Sequence, residues 1–413
     1  MTTPYRDFPE KEPVDIYVLP APVPAQRQKR CSSLVACIFK FAFVVFSTLL
    51  IFNGLSYAFD ALSGTGCRGH QVSFDDGGHQ HPFPPIDKWR PYDGTTHFEF
   101  APADASGFSV RGTESFGKVV FETSKLSDKV VIDLDIKTKK NDKHGDVSVK
   151  EENGFLTVDV GTLESYSSAK IQIPSNIIGH FAIPEFSVDV PRHMVDYSGL
   201  PESLEIGSFK VRAAKGFVKP GPVHTNHTQI TIAKGALKGS LTHARHETNI
   251  DVAKGNVTLD IPTISSGNQG ETKIHLGNGH LKGSLSVYNA TDISVGSGGI
   301  YIEVDFKHAD PRASLSTKIA TGNSRVFVNS IAAERTFESN HVSANGDQLL
   351  TYPTNFQGTI DARGVLGDIK LEGKDLAVEK VLGGLRGEKG DKNRNSISVK
   401  TVKGKLDILV GDE

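Results

Sequence analysis

The stretch that decides the fold is Thr228–Ser240, TQITIAKGALKGS, together with its near-repeat Thr248–Asp260, TNIDVAKGNVTLD. In both stretches apolar and polar residues alternate, the tripeptide Ala-Lys-Gly follows, and a second alternating run begins. Alternation with a period of two residues is typical of a β-strand that buries one face. The sequence therefore predicts short strands that are separated by glycine corners.

The Ala-Lys-Gly unit occurs three times at intervals near 20 residues, ending at Gly216, Gly235 and Gly255, and Gly-rich turns follow at 276–279 and 296–299. Repeated strands with glycine corners at this period predict a β-solenoid-like region. Glycine suits such corners because they need a positive φ or a close backbone approach. We expect Ile, Leu, Val and Ala inside the coils and Thr, Lys, Asp and Asn outside. An antiparallel β-sandwich with hairpins of similar spacing is the alternative.

Strand-like patterns begin at residue 95, so we predict a mainly β fold with a β-rich leader over 95–200 and the repetitive region over 201–413. Two stretches, 191–199 and 306–352, lack the regular pattern and are expected to interrupt the coils. The C-terminal edge of the sheet is expected to be protected by charged side chains. These are Lys400, Lys403, Lys405, Asp412 and Glu413.

The order of these elements resembles a known family. A hairpin reading ENGFLTV (152–158) precedes a strand reading KIQIPSN (170–176), and Gly-turned strands such as LEIGSFKV (204–211) and GDIKL (367–371) follow. This arrangement over 95–413 is similar to adhesin-type domains of unknown function in bacteria and fungi. The resemblance implies a surface-exposed, adhesive β-solenoid-like module without general catalytic residues. The N-terminal tail and single span look like those of an uncharacterised fungal membrane protein.

That span is the apolar run 34–59, LVACIFKFAFVVFSTLLIFNGLSYAF, which holds one charge, Lys40. About 20 apolar residues cross a bilayer, so the run predicts a transmembrane helix that acts as a signal-anchor. Basic residues precede it and Asp60 follows it. The positive-inside rule then places 1–33 in the cytosol and the large C-terminal region outside the cell or in the lumen of the secretory pathway. The alternative is a signal peptide cleaved near Ala58.

The segments that flank this run have the composition of poorly ordered chain. The Pro-rich residues 1–33 predict a disordered tail, and the Gly-, Pro- and His-rich residues 60–94 predict a flexible stalk. Cys31 and Cys37 at the membrane edge are candidates for palmitoylation, or are simply small residues of a helix. Cys67, the only cysteine beyond the run, could form an intermolecular disulfide or remain a free thiol.

Three N-x-S/T sequons lie beyond the apolar run and none lies before it. They make Asn226, Asn256 and Asn289 candidate glycosylation sites if the domain enters the secretory pathway. Their position agrees with the predicted orientation, although most of the chain lies on that side.

The sequence contains no strong signature of catalysis or of metal binding. We find no G-x-S-x-G, Walker, HExxH or CxxC motif. The pairs His224/His227 and His243/His246 have a spacing that puts the two rings on opposite faces of a strand, so we expect surface histidines and no metal site. The His- and Asp-containing stretch 70–81 has no recognisable ligand spacing. A net charge of -2 and a pI of about 6.7 argue against a nucleic-acid partner.

Outward carboxylates are the one feature that could serve an enzyme, because paired acids cleave polysaccharides in some β-helical proteins. Any solenoid displays outward acids, however, and Tyr288 is the only aromatic residue between Val218 and Ile300. We therefore expect no enzyme and no cofactor. The carboxylates concerned are Asp251, Asp260, Asp292, Glu303 and Asp305.

The sequence thus predicts a non-catalytic single-pass membrane protein whose β ectodomain makes cell-surface or cell-wall contacts. Polysaccharide or surface proteins are the expected partners, besides the lipid bilayer around the span. Two alternatives stay open: a membrane-tethered polysaccharide lyase or hydrolase, and an intracellular scaffold anchored in the membrane.

Overall fold

A computed structural model of the chain describes residues 86–139, 147–180, 182–262, 270–306, 312–332 and 335–411. These residues contain one short 3-10 helix, Ser175–Ile177, and otherwise strands and loops. The strands are β1 (Arg90–Pro91), β2 (His97–Phe100), β3 (Gly107–Arg111), β4 (Ser115–Ser124), β5 (Val130–Thr138), β6 (Ser148–Glu152), β7 (Phe155–Asp159), β8 (Ser165–Pro174), β9 (Ala182–Asp196), β10 (Glu205–Lys219), β11 (His224–Ser240), β12 (Glu247–Ile261), β13 (Glu271–Ser286), β14 (Ala290–Phe306), β15 (Arg312–Ile331), β16 (Thr336–Asn345), β17 (Gln348–Tyr352), β18 (Gly358–Leu366), β19 (Ile369–Gly373), β20 (Ala377–Val381), β21 (Gly384–Lys389), β22 (Ser396–Lys403) and β23 (Leu406–Val410). All of them join one sheet, so the predicted mainly β class is confirmed.

The long strands from β9 to β15 form a parallel stack. Each pairs with the next without a shift over most of its length, as when Val211 pairs with Ile230 and Ile230 with Ile250. One step along the stack takes about 19 to 24 residues of chain. Parallel pairing between successive strands is what a coiled chain produces, whereas an antiparallel sandwich of hairpins would pair successive strands in opposite directions.

Each long strand has two parts, which we call the first arm and the second arm, and they meet at a glycine in β10 to β15 and at His193 in β9. In β11 the buried positions alternate up to Ile232, break at Lys234-Gly235, and resume at Leu237. The predicted corners therefore exist, but the chain remains in strand conformation through them. The segment 296–299, predicted to be a turn, lies within β14 for the same reason.

The two arms pack against each other and enclose the core. Phe121 on the second arm β4 has its ring 5.4 Å from that of Phe186 and 5.9 Å from that of Phe209, which lie on first arms. Along the stack, identical or similar apolar residues lie above one another. Such a column is formed by Val188, Val211, Ile230, Ile250, Ile274 and Ile293.

The expectation that threonines face outward is wrong for one column. Four threonines at successive first-arm positions are buried, because they occupy the inward phase of the alternation, and the hydroxyls of three of them have hydrogen-bond partners inside. Thr225 and Thr228, for example, share a hydrogen bond of 2.6 Å. The column is Thr228, Thr248, Thr272 and Thr291.

At the N-terminal end the stack does not follow chain order. β3 and β4 lie between β7 and β8 on one side and β9 on the other, with parallel pairing to both. β5 and β6 then add antiparallel strands outside β8 and β7. β1, within the stretch predicted to be a stalk, pairs with β5.

The C-terminal end repeats this plan. β22 lies between β16 and β18, and β23 lies between β17 and β19, with parallel pairing throughout. The hairpin β20–β21 then pairs antiparallel with β18. The prediction that Lys400 and Lys403 protect the sheet edge is wrong, since β22 has a neighbour on both sides. Lys405 lies between β22 and β23, and Asp412 and Glu413 lie outside the described residues. The outer strands at this end are β20, whose Glu379 and Lys380 are exposed, and β19, whose Lys370 and Glu372 are exposed.

Two stretches predicted to interrupt the coils continue them instead. β15, β16 and β17 keep parallel register with their neighbours through most of 306–352. Residues 191–196 form the second arm of β9 and pair with β4 and β10. Their irregular composition hid the alternation, because inward positions there hold His193, His341 and other polar residues.

The N-terminal segments cannot be compared with the prediction, since residues 1–85 lie outside the described residues. This includes the apolar run 34–59. Within the part of the chain that the structure describes, no helix is long and apolar enough to cross a membrane.

Candidate functional site

The second arms of β12 to β15 present a flat outward face on which aromatic, basic and acidic side chains meet. Every second residue of a strand points outward, and pairing aligns these residues in two rows along the stack. One row runs from Thr258 through Lys282 and Tyr301 to Arg325. The other runs from Asp260 through Ser284 and Glu303 to Phe327. We call this face the tyrosine patch; it consists of Lys282, Tyr301, Arg325, Phe327, Asp260, Ser284 and Glu303.

Tyr301 lies at the centre of the patch between two cations. The Lys282 ammonium and the Arg325 guanidinium are each 5.9 Å from the centre of its ring. At this distance the negative face of an aromatic ring attracts a cation. Phe327 on the neighbouring row is 37% exposed, an uncommon state for a large apolar side chain among the described residues. The patch therefore offers an exposed Phe327 and a half-buried Tyr301, with positive charge beside the tyrosine ring.

A shallow depression of about 440 Å³ lies within the patch. It is open to solvent along one side and combines carboxylates, a hydroxyl and aromatic rings. The depression is lined by Asp260, Gly283, Ser284, Tyr301, Ile302, Glu303 and Phe327.

A β-bulge shapes the far end of the patch. The register shifts between Val304 and Asp305, so that Val304 pairs with Val328 but Asp305 pairs with Ser330. The extra residue, Asn329, donates a hydrogen bond of 3.1 Å from its Nδ2 to Glu303. Bulges bend a strand and redirect its side chains. Here the bulge supplies the partner that orients the Glu303 carboxylate.

The predicted outward carboxylates divide between the two arms. Asp260 and Glu303 share the patch and are two strands apart, about 10 Å at the usual strand spacing. Asp260 accepts hydrogen bonds from the amide and hydroxyl of Ser284, at 3.2 and 3.0 Å. Asp251 and Asp292 instead belong to the first arms.

The two first-arm acids have separate environments. Asp292 forms an ion pair of 3.2 Å with Lys318. Burial raises the pKa of Asp251, and the nearby His275 opposes this rise. Asp305, on the second arm, accepts a hydrogen bond from Ser330. The five acids therefore do not form one cluster, and no group of His, Cys, Asp and Glu suited to a metal ion occurs among the described residues.

The prediction of surface histidines is correct for His227 and His246, whose rings are exposed and 5.2 Å apart. It is wrong for His243, which is buried in the connection between β11 and β12. The Nδ1 of His243 lies 2.9 Å from the Thr272 hydroxyl and its Nε2 lies 2.5 Å from the carbonyl of Ser286. Burial lowers its pKa to about 4, so the ring is neutral at pH 7.

Two further buried histidines were not foreseen. The Nδ1 of His341 lies 2.7 Å from the Thr317 hydroxyl, and its Nε2 lies 2.6 Å from that of Ser339 and 3.0 Å from that of Tyr352. The Nε2 of His193 lies 2.9 Å from the Ser167 hydroxyl. Burial lowers the pKa of each ring to about 3. Phe337, Ser339 and His341 occupy every second position of β16, so they point to the same face of the strand. Since Phe337 is expected to be buried, this spacing could have predicted that His341 is buried as well.

The candidate glycosylation sites have different surroundings. Asn289 is exposed in the turn between β13 and β14, and Asn226 is half-buried in β11. Asn256 follows the corner of β12 and its Oδ1 accepts a hydrogen bond of 3.0 Å from the amide of His280. Asn289 is thus the most accessible acceptor of the three. Cys31, Cys37 and Cys67 lie outside the described residues.

No family model matches the chain, and no curated protein matches it. Several solved structures are similar, and two of them are described below. One, described as a "putative adhesin" from Parabacteroides distasonis ATCC 8503, is 14% identical over 76% of this chain and 98% of its own, with a TM-score of 0.33. The other, described as a "putative cell adhesion protein" from Clostridium sporogenes ATCC 15579, is 11% identical over 78% of this chain and 100% of its own, with a TM-score of 0.15. Both TM-scores are low.

Proposed function

We propose that this chain is a non-catalytic, membrane-anchored surface protein whose β region binds glycan polymers through the tyrosine patch. The observation that carries the proposal is the position of Tyr301 and Phe327 on one flat face with the Asp260 and Glu303 carboxylates. Aromatic rings stack on the apolar faces of sugar rings, while carboxylates and hydroxyls bind sugar hydroxyl groups. A flat face built from stacked strands suits a long ligand, because weak contacts along it add up by multivalency.

The same face argues against hydrolysis as its main role. Glycoside hydrolysis needs two carboxyl groups on either side of one bond, in a site from which bulk water is largely excluded. The depression here is open, Asp260 is held by Ser284, and Glu303 is held by Asn329. A membrane-tethered hydrolase or lyase would release reducing ends or unsaturated products from a glycan, and Asp260→Asn would abolish that release.

The proposal is tested by retention of the full-length protein on insoluble cell-wall polysaccharide. Aromatic anchors commonly dominate the affinity of a binding face, so Tyr301→Ala with Phe327→Ala should weaken retention roughly tenfold. Leu126→Ala with Leu382→Ala is the matched control, because it removes two more exposed apolar side chains far from the patch in sequence. Equal retention of both variants, or no retention of the wild type on any glycan or surface protein, contradicts the proposal.

The proposed topology has its own test. Residues 34–59 would anchor the protein with 1–33 in the cytosol, so Asn289 should carry an N-glycan in the native host. Endoglycosidase treatment should then increase gel mobility, and Asn289→Gln should remove most of that shift. Absence of a shift at all three sequons, with protease reaching 95–413 in sealed microsomes, favours the intracellular scaffold instead.

A further inference from the structure

Basic residues occupy the same corner position in four successive coils. Arg192 pairs with Lys215, Lys215 with Lys234, and Lys234 with Lys254. Parallel neighbours in register are about 4.8 Å apart, so these side chains form a line along the stack. We call Lys215, Lys234 and Lys254 the lysine column.

The lysine column has no counter-charge within the described residues. All three side chains are exposed, and none forms an ion pair with a described carboxylate. Arg192, at the end of the line, differs, since it is paired with Glu114 at 2.8 Å. Like charges on adjacent strands repel one another. An anionic ligand that lies along the column removes this repulsion.

A second basic row runs beside the column on the second arms. Lys238 pairs with Thr258, and Thr258 pairs with Lys282. Between the two rows, Phe217 pairs with Ala236 and Ala236 pairs with Asn256, so the strip is apolar beside Lys215 and Lys234 and polar beside Lys254. The surface therefore has cations on both sides of a short apolar strip, and the second row reaches the tyrosine patch through Lys282.

We propose that the lysine column binds a linear, carboxylated polysaccharide laid along the stack axis. One pyranose residue of an extended polyuronate is about as long as one strand spacing, so successive carboxylates would meet successive coils. Phe217 and Ala236 would contact the sugar rings, and Asn256 would hydrogen-bond to sugar hydroxyl groups. Duplex DNA fits less well, because it carries one charge per about 1.7 Å of its axis and its backbones wind around that axis. The inference rests on the proposed glycan-binding role but uses a different surface.

The test compares polygalacturonate with the fully methyl-esterified polymer of equal length, which has the same backbone without charge. The full-length protein in mild detergent is measured against both at several salt concentrations, together with single-stranded DNA of equal charge. The triple variant Lys215→Gln, Lys234→Gln, Lys254→Gln is compared with Lys125→Gln, Lys374→Gln, Lys380→Gln. The second set changes the net charge equally and consists of exposed lysines outside the column.

We expect the column variant to bind polygalacturonate at least tenfold more weakly and the control variant to bind as the wild type does. Each lost contact with single-stranded nucleic acid lowers the slope of log K against log salt by roughly 0.7. A polyuronate has a larger charge spacing, so the column variant should lose at most about two units of slope. Equal losses in both variants, equal binding of the esterified polymer, or tighter binding of DNA overturns the inference. If polygalacturonate binding does not depend on the lysine column but retention on cell-wall polysaccharide still depends on Tyr301 and Phe327, the further inference is wrong and the proposed function stands. The two experiments therefore test the two proposals separately.

Discussion

At the scale of single residues, the corner glycines permit the close stacking of the coils. Gly255 has a φ of +149°, and a Cβ added to it would lie 1.6 Å from the carbonyl oxygen of Gly235. Gly279 has the same relation to Gly255. Each corner thus depends on the corner below it, and no other residue type fits without moving the backbone.

Gly255→Ala should therefore lower the free energy of unfolding by about 3 kcal/mol or more, through strain and collision together. The control is Gly161→Ala, where φ is +55° but no atom lies within 4 Å of the added Cβ. That change should lower the free energy of unfolding by only about 1 to 2 kcal/mol, because alanine is strained in the left-handed backbone conformation. Urea unfolding of both variants measures the difference. Similar urea midpoints for Gly255→Ala and Gly161→Ala would show that the added Cβ at position 255 does not collide with the Gly235 carbonyl in solution.

At the scale of elements, the unusual feature is the last coil, formed by β22 and β23. It fills a gap between strands that precede it in the chain, so both neighbours lose a partner without it. It also brings five buried apolar side chains into the core. They are Ile397, Val399, Leu406, Ile408 and Val410.

Truncation after Arg394 should remove on the order of 10 kcal/mol of apolar burial and expose unpaired edges of β16 to β19. We expect protease cleavage within 336–394 and association that increases with protein concentration. Limited proteolysis and light scattering measure these effects. Truncation after Gly411 is the control, because it leaves β23 intact. A monomeric, protease-resistant protein that ends at residue 394 would mean that the inserted coil is dispensable.

At the scale of the whole molecule, three neutral histidines lie in separate coils and make global stability depend on pH. Burial lowers the pKa of His193 and His341 to about 3 and of His243 to about 4. The unfolded chain binds protons at these rings from about pH 6.5 downward, whereas the folded chain does not. The contribution of these three rings to the free energy of unfolding is therefore fully present above pH 6.5 and decreases as the pH falls toward 4.

Between pH 6.5 and 4.5 the free energy of unfolding should fall by up to about 1.4 kcal/mol per pH unit for each buried histidine. The exposed His97 acts in the opposite sense, since hydrogen bonds to Asp133 and Glu99 raise its pKa. Urea midpoints measured at half-unit pH intervals give the slope. A flat profile in this window would mean that the rings are protonated or solvated in the folded protein. His243→Gln should reduce the dependence of the free energy of unfolding on pH by up to about 1.4 kcal/mol per pH unit, the amount expected for one buried histidine.

Among these features, the period near 20, the glycine corners and the mainly β class follow from the sequence alone. Each depends on local chemistry: alternation sets the two faces of a strand, and only glycine fits where Gly255 lies over Gly235. The aromatic and acidic residues of the tyrosine patch were also visible as residue types, but not as one surface. Their distance in sequence, from Asp260 to Phe327, spans several coils.

The tertiary structure decided the rest, because it depends on which coil lies next to which. Alternation of apolar and polar residues does not tell which face of a strand is buried where a polar residue, such as Thr228 or His341, lies on the buried face. Nor does it show that β22 and β23 enter between earlier strands, which places Lys400 and Lys403 inside the sheet and not at its edge. Local sequence thus determined the shape of one coil, and the long-range strand pairing determined the order of the coils and the surfaces they form together.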